Sequence, residues 1–155
     1  MRRYVVLLLM LVAGGCTRSI APMGAGSASA LADPHSPEAA RLVAQSYAAL
    51  LEQHDFPGAY RLLNNDGPTQ RADEAAFTTS FAAYRSIHAE VGKPFDEEGA
   101  AGSIYIKLPF RLYGNTRSGA AFNRVGNLTL RRVNGVDGAT PAQLRWHIAQ
   151  IDLTP

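Results

Sequence analysis

Ile104–Tyr113 reads IYIKLPFRLY. Ile104, Ile106, Leu108, Phe110 and Leu112 fall on one parity; Tyr105, Lys107, Pro109, Arg111 and Tyr113 fall on the other. A period of two sustained over this length predicts a β-strand with one apolar and one amphipathic face, and so an antiparallel sheet buried on one side. Pro109 has no N–H to donate, which implies a bulge or a sheet edge at that point.

Reading outward from this strand, Gly114–Gly119 (GNTRSG) is a hairpin loop and Ala120–Val133 a second long strand. Its alternation slips, because Phe122 and Leu128 share one parity and Val125 takes the other; Gly126 lies where a bulge would fall. Asn134-Gly135 and Asp137-Gly138 are turn signals. Leu144–Leu153 is the last strand, with Trp146 and Ile148 on one parity and Ile151 and Leu153 on the other. On the N-terminal side, Phe95–Ala101 is expected to be a loop and Ser86–Val91 a short strand. Long strands interrupted by bulges make a strongly curved sheet.

Before Tyr84 the period is helical. Ser36-Pro37-Glu38 offers an N-cap, a proline for the first turn and an acid at the positive end. Val43, Tyr47, Leu50 and Leu51 then form one stripe, predicting a helix to about Gln53. Asp55-Phe56-Pro57 starts a short second helix, stopped by Asn64–Pro68. Asp73 is expected to cap a third, Glu74 to Tyr84, with Phe77, Phe81 and Tyr84 at helical spacing as core residues. The expectation is an α+β domain over residues 37–155, three N-terminal helices packed on a curved antiparallel sheet of about four strands. This order, the DFPGAYRLLN segment behind a capped helix, the change of period near Tyr84 and the GNLTLRRVNG…LRWHIAQIDL hairpin resemble the nuclear transport factor 2-like superfamily, the cystatin-like α+β cone. The resemblance implies a pocket between helices and sheet. In some members that pocket serves isomerases, dehydratases or cyclases; in many others it binds ligands or partners without catalysis.

The first residues read differently. Arg2 and Arg3 precede the apolar run Tyr4–Ala13, and Gly14-Gly15 lead to Cys16, the single cysteine among 155 residues. This is the layout of a secretory signal and is too short to span a bilayer, which takes about 20 residues. It resembles the lipobox of bacterial lipoproteins, with Ala13 where a larger aliphatic residue is usual. The resemblance implies a signal peptide over 1–15 and lipidation of Cys16. Several acyl chains on one residue would hold the chain at membrane lipid, since one chain alone binds marginally. Thr17, where an inner-membrane retention signal has Asp, directs the expectation to the outer membrane facing the periplasm, the inner membrane being the alternative. Residues 16–36 are the tether: 13 of the 20 residues in Thr17–Ser36 are Ala, Gly, Ser or Pro. Such a coil reaches roughly 25 Å.

The net charge of +2 comes from Arg2 and Arg3; beyond residue 15 the chain has 13 basic and 13 acidic residues. Without a basic stripe or a long run of like charge, no nucleic-acid partner is expected. The spacings of metal and phosphate motifs are absent, so neither metal nor cofactor is expected, and no catalytic set is assigned. The groups able to line a pocket or an interface are Tyr84, His88, Tyr105, Arg111, Tyr113, Arg124, His147 and Asp152. The expected function is a non-catalytic, membrane-anchored domain binding a small apolar ligand or an envelope protein. The alternatives are acid–base chemistry in the cone pocket and a structural module that dimerises through its outer sheet face.

Overall fold

A computed structural model describes residues 33–63 and 71–155. The segment Met1–Cys16, most of the tether and the Asn64–Pro68 stop signal lie outside the described residues. The described elements are α1 (Pro37–Glu52), α2 (Phe56–Tyr60), α3 (Arg71–Ser80), β1 (Tyr84–Val91), β2 (Phe95–Ala100), β3 (Ser103–Thr116), β4 (Ala121–Val133) and β5 (His147–Thr154). No helix among the described residues is long and apolar enough to cross a membrane.

The helix starts follow their caps. Ser36 accepts a hydrogen bond from the Ala39 N–H, and Asp55 accepts one from the Gly58 N–H, each satisfying an otherwise orphaned donor. The third helix differs from expectation. It begins at Arg71, with Asp73 and Glu74 inside its first turn, where their charge favours the helix dipole. It ends at Ser80, and Tyr84 opens β1 instead of closing the helix.

The sheet is antiparallel and has five strands, in the order β1-β3-β4-β5, with β2 also paired to β3. The expected loop at Phe95–Ala101 is therefore a strand. Its sequence, FDEEGA, has no alternation because every residue is exposed, so no buried face imposes a period on it. What makes it a strand is the two-residue turn Ala101-Gly102, both at positive φ, which folds it back on β3. β1 and β2 share one edge of β3, β1 along Phe110–Thr116 and β2 along Ser103–Lys107. Pro109 falls between them. Its carbonyl accepts from the Gly92 N–H at 2.8 Å, so its donor-less nitrogen faces the same gap in that edge. The β3–β4 ladder runs past it without a shift.

The even positions of β3 face the helices. Ile106, Leu108, Phe110 and Leu112 are buried, joined by Leu128 and Leu130 from β4, Ile148 from β5 and Tyr47 and Leu51 from α1. Trp146, also buried, donates its indole N–H to the Ser36 carbonyl at 3.1 Å, tying the approach to β5 to the start of α1. This segment is not strand; β5 begins only at His147.

Two irregularities shape the face toward the helices. β4 stays in register with β3 at Val125 and Gly126, so the parity slip there is no bulge: Val125 is an exposed apolar residue on the outer face. The bulge lies in β5, where Thr129 pairs with Gln150 and Leu130 with Ile148, leaving Ala149 unpaired. That extra residue brings Ile148, Ile151 and Leu153 to one side despite their mixed parity. A second bulge leaves Arg85 unpaired in β1 and brings Tyr84 and Ile87 to the same face. Gly126 serves a different end. A Cβ on it would lie 1.8 Å from the Asp152 carbonyl oxygen, so only glycine lets β5 approach this closely. Gly126→Ala should destabilise the domain by about 1–3 kcal/mol as β5 is pushed away, measured by urea denaturation with an unchanged m-value; a loss of less than a few tenths would contradict the close approach.

Candidate functional site: an apolar cavity between helices and sheet

The two bulges aim side chains at one place. Tyr84, Ile151 and Leu153 line a cavity of about 190 Å³, with Phe110 and Leu112 from β3 as its floor. Tyr47 and Leu51 of α1 form one wall, and Phe77 and Ser80 of α3, with Phe81 just past its end, form another. Arg124 of β4 completes the lining. It sits on the helix-facing side because it pairs with Leu112. Ser80 and Arg124 are exposed and mark the open end.

Aromatic rings carry much of this wall. Phe56 stacks on Phe81 at 4.8 Å, Phe81 meets Phe77 edge-on at 5.1 Å, and Tyr84 lies 4.4 Å from Phe122. The chain of rings links α2, α3, β1 and β4, each pair adding to the area it buries. The hairpin between β3 and β4 is pinned beside it: Arg117 donates its backbone N–H to Ala83 and its Nε–H to the Ala82 carbonyl, both at 2.8 Å or less. These bonds fix the α3–β1 junction from which Tyr84 projects.

The electrostatics are simple. Burial pushes the Tyr47 phenol well above its ordinary value, because a phenolate would be cut off from water. Tyr47 is thus a neutral hydroxyl at physiological pH. Arg124 is the single charged side chain among the described lining residues. No carboxylate stands within ion-pair distance of it among the described residues.

Of the eight residues singled out from the sequence, Tyr84 and Arg124 reach this cavity. The other six lie on the opposite sheet face. His88 packs against Tyr113 at 5.3 Å, and the Arg111 guanidinium lies 4.5 Å from the Tyr113 ring centre. Arg111 also donates to Asn123 at 2.8 Å and meets Glu90 at 3.4 Å. Tyr105 pairs across the strands with Glu98 and Arg131. Asp152 accepts from the Gln150 amide, and His147 bonds the Ala142 carbonyl at 2.9 Å. Imidazole and carboxylate are therefore spread along a wet surface and do not converge on one reacting atom. Exposed pairs of this kind contribute about 0–1 kcal/mol each. Among the described residues, no three His, Cys, Asp or Glu side chains stand together as ligands for a metal ion.

The sequence reading missed most of the lining. Phe77 and Phe81 are noticed there, as core. Ile151 and Leu153 carry a signal in the change of parity after Ile148, which a bulge converts into a common face. Ser80 carries none.

A helical layer over one face of a curved antiparallel sheet is shared with solved structures. One is a protein from Kribbella flavida, 16% identical, with a TM-score of 0.54 over 79% of this chain and 92% of that one. Another is a nuclear transport factor 2-like superfamily protein from Salmonella enterica serovar Typhimurium, 10% identical, with a TM-score of 0.54 over 76% of this chain and 89% of that one. The domain has the nuclear transport factor 2-like fold. No family model matches the sequence, and no curated protein matches it. With identities this low, the likeness extends to the nuclear transport factor 2-like architecture and not to any activity.

Proposed function

We propose that the chain is a membrane-anchored periplasmic lipoprotein whose nuclear transport factor 2-like domain binds a small apolar ligand without transforming it. The observation that carries the binding half is the cavity. Two separate bulges, at Arg85 and Ala149, turn Tyr84, Ile151 and Leu153 into it. Its lining supplies apolar and aromatic contact, phenols and one guanidinium. These groups hold a ligand; proton abstraction would call for a base near ambient pH, and Tyr47 is held as the neutral phenol. Toluene, a neutral apolar probe, should give saturation-transfer NMR signals with the wild-type domain. Ser80→Trp, placing an indole at the open end, should abolish them. Transfer that is absent, or unaffected by Ser80→Trp, would sink the reading.

Support for the anchored half is the sequence Met1–Cys16, with its charged start, apolar run and small residues before the lone cysteine. Acylated at Cys16, the domain would stand within a short tether's reach of the outer membrane. Wild-type protein should sediment with membranes after carbonate and high-salt washes, and Cys16→Ser should appear in the soluble fraction. If Cys16→Ser stays with the membranes, lipidation is not what holds the protein there.

A further inference from the structure

The Arg124 guanidinium gives the cavity a polarity that apolar contact alone does not explain. It is the one charge among the described lining residues, no described carboxylate stands within ion-pair distance of it, and it stands at the open end while the rest of the lining, Ser80 apart, is aromatic or aliphatic. An arginine elsewhere on this sheet is engaged: Arg111 has Glu90 and Asn123. A cation at the mouth of an apolar pocket favours a ligand with an apolar body and one anionic end. From the geometry we infer that the cavity takes a small aryl carboxylate, its ring among Phe77, Phe81, Tyr84 and Phe110 and its carboxylate on Arg124. The inference rests on the binding reading above and narrows it to a ligand class.

Size and chemistry agree. An apolar cavity of roughly 150 Å³ accepts benzene, and this one, at about 190 Å³ and open at one end, has room for a single ring and a short arm. Ring faces and edges on three sides suit an aromatic body better than a flexible chain. The planar guanidinium fork matches a carboxylate, which it can bind with two parallel N–H···O bonds. Ser80, also exposed in the lining, donates its Oγ–H to the Phe77 carbonyl at 2.6 Å, which leaves Arg124 as the donor for the carboxylate.

The test compares phenylacetate with phenylacetamide, which has the same shape without the charge, by titration calorimetry on the wild-type domain and on Arg124→Gln and Arg124→Lys. Arg124 is exposed, so its replacement leaves the core intact, as a circular dichroism melt verifies. Wild type should prefer phenylacetate by about tenfold at low ionic strength, as expected of a charge-assisted pair at a partly open site. The preference should shrink as salt is raised. Arg124→Gln should abolish it and Arg124→Lys should restore part of it. Equal binding of the two probes, or a preference that survives Arg124→Gln, overturns the inference. If toluene still binds in that case, the apolar pocket stands and only its anionic ligand class falls; if none of the three binds, both readings fall.

Discussion

Leu108→Ala should lower the stability of the domain by about 2–5 kcal/mol. Leu108 is fully buried at the centre of β3, opposite Leu128, which is equally buried. Truncation loses the transfer free energy of three carbons and leaves a void that the neighbouring strands cannot close. β1 and β2 pair with β3 on either side of Leu108-Pro109 along one edge, and along the other its ladder with β4 runs unbroken from Ser103 to Asn115. The cost should therefore lie in the upper part of that range. For a domain of this size it corresponds to a drop in melting temperature of roughly 10–20 °C, read by calorimetry. A loss below about 1 kcal/mol would mean that Leu108 is not at the centre of a close-packed core.

The second large effect separates the bulged strand from a regular one. Anchored by buried Ile148, a strand without a bulge would turn Gln150 inward and Ile151 outward. The unpaired Ala149 reverses this: Ile151 pairs with Leu128 on the face toward the helices, and Gln150 is exposed. The same replacement at adjacent positions should give unequal results. Ile151→Asn places an amide against the cavity wall and should cost about 3 kcal/mol. Gln150→Asn should stay within about 0.5 kcal/mol, as surface changes do. Chemical denaturation of the two variants under the same conditions decides it. The reverse order would place the bulge elsewhere and remove Ile151 and Leu153 from the cavity.

These two residues also show how far the sequence could be read. Ile104–Leu112 alternates because one face is sealed by helices and the other meets water, so burial writes its period directly into the chain. β3 and its hairpin with β4 are legible for that reason, as are the caps at Ser36 and Asp55, which act within one turn. Phe95–Ala100 is illegible for the opposite reason. It is an exposed strand held by backbone pairing and by a turn at Ala101-Gly102, and neither leaves an apolar period. The cavity is harder still. Tyr84 reads as the end of a helical aromatic stripe, because Phe77, Phe81 and Tyr84 keep helical spacing across a chain break in secondary structure. Only the tertiary fold places Tyr84 in a strand, and only the bulge at Arg85 turns it inward. Arg124 could be named as a candidate, yet nothing in its neighbours Asn123 and Val125 tells which face it takes; its pairing with Leu112 does. His88, Arg111, Tyr113, His147 and Asp152 look as chemically promising in sequence as Tyr84 and Arg124. The sheet's two faces separate them, and that is a long-range property.

The polar groups of the outer face do not reach the cavity lining. Two charge pairs cross the strands on that face, Lys107 with Asp96 and Arg111 with Glu90, and the hydrogen bond that Lys107 donates to Asp96 holds its ammonium pKa above the ordinary value. None of these groups lines the pocket, where Arg124 is the one charged side chain among the described lining residues.

The central claim is that ligand binds between helices and sheet and not on the outer face. Backbone amide chemical-shift mapping with phenylacetate tests it most directly. Shifts concentrated at Ser80, Phe81, Tyr84, Leu112, Arg124, Ile151 and Leu153, with His88, Arg111 and Tyr113 unmoved, are the predicted result. Shifts concentrated at His88, Arg111 and Tyr113, with the cavity residues unmoved, would contradict it.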